Sequence, residues 1–236
     1  MMRVLSLSVS CLLAGLLGLC AATNEAQSNG TQGMDLFGTH LPVNYDAALK
    51  NGVEFVFVKA TEGSNRNLRF KSQTAGARKA GLLTGAIHFA TASTSSGAQQ
   101  AEYFLSHGGN WTSDGLTLPG VLEMEGNIAG KLCHGMNSTK ITEWMMDFSN
   151  TYLDATGRRP MLFLSAKWWN QCAGDDESFG TEHPLWLANW ADEMGALPMG
   201  WKEAVFWQYS GFSRLGGEAD VFFGTERELR EFALGV

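Results

Sequence analysis

The sequence has few of the residues that mark a specialised chain. Only 17% of its 236 residues are charged, and it holds 5 prolines, 5 histidines and 4 cysteines. So little proline and charge, beside 44% hydrophobic residues, excludes a disordered, collagen-like or coiled-coil chain. An excess of basic residues is missing too. Seventeen Lys and Arg stand against 24 Asp and Glu, for a formal charge of −7. That balance argues against nucleic-acid binding, which needs a basic face, and against attraction to anionic membranes. What is plentiful is glycine (28), phenylalanine (14) and tryptophan (8), enough turn and core material for one globular domain.

The one long apolar run lies at the start. Arg3 precedes Val4 to Leu19, and Cys20-Ala21-Ala22 follows with the small residues a signal peptidase needs. The run is short of the ~20 residues of a spanning helix. We therefore expect a signal peptide over 1–22, a polar linker over 23–32 and a single domain over 33–236, in a secreted, extracellular protein without membrane insertion. Cleavage would remove Cys11 and Cys20 and leave Cys133 and Cys172. In an oxidising compartment these form one disulfide by default, with two buried free thiols as the alternative. Asn29, Asn110 and Asn137 each head an Asn-X-Thr tripeptide, the acceptor pattern for N-glycans.

Past the linker, short β-rich runs alternate with amphipathic stretches. The runs are 33–37, 53–58, 83–89, 120–125, 161–165, 185–190, 205–209 and 219–222, each set off by turn residues such as Asn51-Gly52 and Pro184. Ile141, Trp144, Met145, Phe148 and Tyr152 recur at three and four, a core-facing helix ending near Gly157. Further helices are expected over 70–79, 97–106 and 225–234. Strand–helix alternation with eight strands predicts an α/β fold, a single-domain, mostly parallel barrel of the TIM type.

Active sites of such barrels lie at the C-terminal ends of the strands. Those ends carry Asp35, Lys59 with Glu62, His88, Glu123 with Glu125, Ser165, Asn189 with Trp190, Gln208 and Asp220. His88 reads either as a hydrogen-bonded core histidine or as a substrate contact. The sharpest feature is Glu123-Met124-Glu125. On a strand, residues i and i+2 share a face, so both carboxylates point one way, roughly 6–7 Å apart. Burial and mutual repulsion would keep one protonated beside an ionised partner, the equipment for cleaving a glycosidic bond. A metal site is the weaker reading, since no histidine or cysteine lies near in sequence. Trp190 and Trp207 sit at strand ends where a flat indole could meet a sugar ring.

At this point the chain resembles glycoside hydrolase family 25, the N-acetylmuramidases often called CH-type lysozymes, in their fungal form. The resemblance runs from Gln32 to Ala233. It is carried by Gly33-Met34-Asp35, Lys59-Ala60-Thr61-Glu62-Gly63, His88-Phe89-Ala90, Ser95-Ser96-Gly97-Ala98 and Leu118-Pro119-Gly120. Thr156-Gly157-Arg158, Trp168-Trp169, Leu197-Pro198, Gly200-Trp201 and Phe206-Trp207-Gln208 continue it. The resemblance implies a flattened, irregular β/α barrel that cuts the β-1,4 bond after N-acetylmuramic acid in bacterial peptidoglycan without a cofactor; the residues themselves lead us to expect a monomer and no metal. It gives Glu125 the role of general acid/base and puts Glu123 where the family has an aspartate that orients the substrate's acetamido group. Asp35 and Asp220 match the other acidic positions, Glu218 falls on a usual aspartate, and Cys133 pairs with Cys172. Lys59, Glu62, His88, Asn189, Trp190, Trp207 and Gln208 are the expected substrate contacts.

The chain also departs from that pattern. Glu123 is one methylene longer than the family's aspartate, and a shift of about 1 Å at a reacting centre can cost ~10²-fold in rate. Phe37-Gly38-Thr39-His40 replaces a Ser-His-aromatic-Gln run, and Ile87 stands where a tyrosine is common. These changes leave a second expectation open, a catalytically weakened member that binds wall glycan.

Overall fold

A computed structural model describes residues 30–40, 42–126, 131–174 and 176–236. The expected signal peptide, the linker as far as Asn29, and Asn29 itself lie outside the described residues. The strands are β1 (Thr31–Leu36), β2 (Val53–Glu62), β3 (Asn65–Arg66), β4 (Leu83–Phe89), β5 (Val121–Glu123), β6 (Met161–Leu164), β7 (Leu185–Ala188), β8 (Phe206–Ser210) and β9 (Glu218–Phe222). The α-helices are α1 (Tyr45–Lys50), α2 (Phe70–Lys79), α3 (Gly97–Phe104), α4 (Ser138–Thr156), α5 (Ala166–Cys172), α6 (Ser178–Glu182) and α7 (Glu226–Leu234).

The strands form a closed ring in the order β1-β2-β4-β5-β6-β7-β8-β9, and β3 is a two-residue hairpin partner folded back on β2. Pairing is parallel from β1 through β8. The closing strand β9 is antiparallel to both β8 and β1. The expected barrel is therefore present with its last strand reversed, so Asp220 does not sit at the catalytic end by ending a parallel strand. It is the N-terminal end of β9 that lies beside the C-terminal ends of the others.

Three strands, β5, β6 and β7, are shorter than their apolar runs suggested. β5 stops at Glu123, so Glu125 stands in the loop beyond the ladder, although the Met124 amide still donates to the Phe163 carbonyl at 2.8 Å. β2 is longer, continuing past an irregularity at Ala60 to Glu62 before the chain turns back through β3.

Local chemistry explains the helix ends. Ser96 and Gln99 form a capping box on α3, and Asn137 caps α4, which terminates at Gly157 in the left-handed region (φ 76°). The expected helix over 97–106 ends at Phe104 and passes into one wide turn, Leu105–Gly109, because Gly108 takes φ 109°.

The barrel interior holds Phe55, Phe57, Ile87, Val121, Met161, Phe163, Trp186, Phe206 and Phe222, and Leu229 and Ala233 of α7 complete this cluster. Space for so many rings is made at Gly33 and Gly85, where an added Cβ would overlap Phe55 and Phe57 respectively. A second layer of α3, α4 and α5 side chains packs outside β4 to β7. α1 and α2 cover β1 and β2. Cys133 is bonded to Cys172, tying the segment before α4 to the end of α5 across 39 residues. A loop of that length contributes about 4 kcal/mol in the chain-entropy account.

Candidate active site

Strand alternation builds the site. The residues one step above the interior rings point the same way. Above Gly33 stands Asp35; above Phe55 and Phe57, Lys59; above Val121, Glu123; above Phe206, Gln208. Reversal of β9 puts Asp220 and then Glu218 above Phe222. The barrel is thus apolar below and densely polar at its mouth.

Gln208 is the hub of that upper layer. Its Nε2 donates to Asp35 Oδ2 at 2.6 Å and to Glu218 Oε2 at 2.7 Å, while its Oε1 accepts from Trp190 Nε1 at 2.7 Å. Both amide hydrogens are committed, so Gln208 orients carboxyls more than it meets substrate. In the sheet register Glu218 lies opposite Asp35, and Asp220 opposite both Gly33 and Gln208.

The electrostatics follow from crowding. Asp35, Glu123 and Asp220 are all buried. Burial lifts Asp35 to about 7, against hydrogen bonds from Gln208 and Asp220 that pull it down. It lifts Glu218 to about 8, helped by the charges of Asp35 and Glu125. Glu123 and Asp220 are pushed well above the ordinary carboxylate range, first by burial and then by their acidic neighbours. Asp220 has no hydrogen bond of normal geometry on either oxygen, and Asp35 Oδ1 and Glu123 Oε2 are likewise unpaired. Buried carboxyls in that state hold protons. Glu125 is raised more gently by burial, with Lys59 opposing.

Lys59 is the cation of the mouth. Its Nζ is 2.7 Å from Glu62 Oε2 and sits 4.7 Å and 5.1 Å from the ring centres of Phe37 and Phe89. Phe37 is fixed in turn because its amide donates to His40 Nδ1 at 2.9 Å, closing the turn that replaces the expected run after Asp35. Trp190 is 66% exposed beside the cluster, an open indole face.

Two expected contacts are corrected. His88 is fully buried in the outer layer between Thr61 Oγ1 (2.7 Å) and Gln100 Oε1 (2.9 Å), stacked on Phe148. Burial lowers it to about 4, so it is a neutral core histidine that no substrate reaches. Trp207 is also fully buried, its Nε1 donating to the Asn189 carbonyl at 2.8 Å. Two further residues serve the framework. Asn189 spends its amide on the carbonyls of Glu193 and Met194, shaping the loop behind Trp190. Ser165 caps α5 by accepting from the Trp168 amide.

Sequence reasoning missed His134. It lies beside Cys133, adopts φ 54°, and its Nε2 meets the Glu125 carbonyl at 3.0 Å. Its proximity to the disulfide was the available signal. Asn110 and Asn137 are exposed, and Asn137 already serves as the cap of α4. Among the described residues, no group of three or more His, Cys, Asp or Glu is arranged to hold a metal ion.

The sequence pattern of the glycosyl hydrolases family 25 matches residues 35–218. The chain is 37% identical over 235 residues to an N,O-diacetylmuramidase of Arthroderma benhamiae, covering 99% of this chain and 100% of that one. An N,O-diacetylmuramidase of Chalaropsis is 38% identical over 209 residues, 86% of this chain and 99% of the other. In structure, a family GH25 lysozyme from Aspergillus fumigatus superposes with a TM-score of 0.84 at 41% identity, covering 86% of this chain and 98% of that one. The chain therefore belongs to glycosyl hydrolase family 25, and is a glycoside hydrolase built on an irregular, TIM-like β/α barrel.

Proposed function

We propose that the protein is a secreted lysozyme that hydrolyses the β-1,4 bond between N-acetylmuramic acid and N-acetylglucosamine in bacterial peptidoglycan. The observation that carries this reading is the set of five carboxyl groups, Asp35, Glu123, Glu125, Glu218 and Asp220, raised together at one mouth beside Lys59. Glu125 is the member outside the strand ladder and is less buried than Glu123. It keeps its proton to a higher pH than a surface glutamate and donates it to the glycosidic oxygen as the C–O bond breaks. Its carboxylate, stabilised by Lys59, then takes a proton from the incoming water. Glu123 and Asp35 hold the substrate's acetamido group against the reacting carbon, Asp220 sets the charge on Asp35, and Trp190 stacks on a sugar ring. The names of the fungal relatives support the substrate. The disulfide supports an oxidising, extracellular destination.

The test is purified protein on insoluble peptidoglycan, with released fragments read by mass spectrometry beside Glu125→Gln and Glu123→Asp. Fragments ending in reducing N-acetylmuramic acid that fall by about 10²-fold or more in Glu125→Gln are expected. If the wild type releases nothing and Glu123→Asp does, the longer Glu123 has disabled the site and a glycan-binding role replaces this one.

A further inference from the structure

Charge is unevenly spread on this acidic chain. Residues 63–81 contain Arg66, Arg69, Lys71, Arg78 and Lys79 and no acidic residue, in a chain whose net charge is −7. Arg69 is bound to the His40 carbonyl, and Arg78 to Thr84 and Thr117. Arg66 and Lys71 are exposed, and their charged ends have no partner among the described residues.

These two cations flank a cavity of about 440 Å³ between the β2–β3 hairpin, the start of α2 and the turn after α3, with Asn67, Leu68, Phe70 and His107 also in its lining. Leu68 is 83% exposed there. A smaller cavity of about 190 Å³ shares Arg66 and Asn67 with it and reaches Lys59, Phe37 and Glu62 at the barrel mouth. Arg66 and Asn67 are thus a common wall between the Lys59 side of the barrel mouth and an apolar, cationic shelf.

We infer that this shelf is a second binding site, one that takes the carboxylate-bearing peptide hanging from the glycan strand. The inference rests on the peptidoglycan reading proposed above. The cleft suits neutral sugars, because its cation, Lys59, is already paired with Glu62 and its other polar groups are carboxyls. The peptide attached to a muramic acid carries carboxylates and short aliphatic side chains, which match Arg66, Lys71 and the exposed Leu68. Three or four extended residues reach roughly 10–13 Å from the sugar that carries them. Unpaired rim cations of this kind act on encounter and substrate affinity more than on the chemical step.

The experiment compares wild type with Arg66→Glu/Lys71→Glu on two substrates, intact peptidoglycan and the same glycan strands freed of peptide by an amidase. Thermal melting checks that the exposed substitutions leave the fold intact. On intact wall KM should rise about fivefold to tenfold with kcat unchanged, and the difference should shrink at high salt. On peptide-free glycan the variant should match the wild type. Equal losses on both substrates, or none on either, would overturn the inference. So would a KM effect that disappears when wall phosphate polymers are stripped with acid, since phosphate would then be the ligand. A wild type inactive on both substrates would instead count against the lysozyme reading itself.

Discussion

The imidazole of His134 donates from Nε2 to the main-chain carbonyl of Glu125 at 3.0 Å. A carbonyl only accepts, so the proton is on Nε2, and Nδ1 lies buried without a partner. Burial lowers the imidazole below its usual range, which keeps the ring neutral. The backbone of His134 is held in the left-handed region, next to a disulfide cysteine. A non-glycine residue in that region costs about 1 kcal/mol or more and persists when its surroundings hold it.

His134 is thus a positioning residue for Glu125. His134→Phe should lower kcat by about tenfold to a hundredfold, the scale of a 1 Å misplacement, with KM little changed. His134→Gln, which retains a donor, should recover part of the loss. A kcat unaffected by His134→Phe in a folded enzyme would remove the role.

Stability should depend on pH in a direction set by the buried carboxyls. Asp35 and Glu218 titrate near 7 and 8 in the fold and near 3.8 and 4.5 when exposed. The folded state therefore holds protons that the unfolded chain releases, and stability is lost as pH rises through 7 and 8. His88 and His183, lowered to about 4 by burial, act oppositely, so stability is also lost as pH falls from 6.5 toward 4. Between about pH 4.5 and 6.5 the histidines offset part of the carboxyls' effect, so the expected melting temperature falls most steeply between pH 6.5 and 8, with the raised Glu123 and Asp220 adding to the decline. Glu218→Gln should flatten the alkaline decline. A melting temperature that climbs between pH 6.5 and 8.5 would contradict this assignment.

Gln208→Leu should damage both fold and chemistry. It removes two hydrogen bonds to carboxyl groups and the acceptor that holds Trp190. We expect a loss of about 2–3 kcal/mol by urea denaturation, since three hydrogen bonds go at about 1 kcal/mol each. The activity profile should also move toward higher pH, because Asp35 loses a donor that lowers it.

Tyr152 offers a test far from the cleft. Its buried hydroxyl accepts from the Gly120 amide at 2.9 Å and donates to the Gly109 carbonyl at 3.0 Å. Tyr152→Phe keeps the ring packing and strands both backbone groups, at a cost of about 1–3 kcal/mol. Denaturant midpoints should fall while KM stays constant.

Most of the barrel could be read from the chain because its strands and its helix stripe are sharply punctuated. Ile141 to Tyr152 lie on the buried face of α4, and the expected end at Gly157 is its left-handed cap. The alternation that set Glu123 and Glu125 on one strand face was legible only as far as Glu123, where β5 ends. What alternation cannot give is which face of a strand looks inward when both faces are covered and apolar. His88 shares its face with Thr84 and Ala86, not with Ile87 and Phe89, and so turns toward Phe148. Trp207 was misread for the same reason. Strand direction was the other hidden quantity. Nothing within residues 219–222 says that β9 runs backward, yet that reversal is what brings Glu218 and Asp220 to the mouth.

The ring closes between the first strand and the last, with Asp35 on β1 opposite Glu218 on β9. The hydrogen bond from Gln208 to Asp35 spans 173 positions of sequence. The carboxylate cluster is therefore absent from any shorter, growing chain. A ribosome must release the chain through Phe222 before β9 can slot in and the mouth can form. The acidic mouth thus assembles in one step, when β9 docks between β8 and β1.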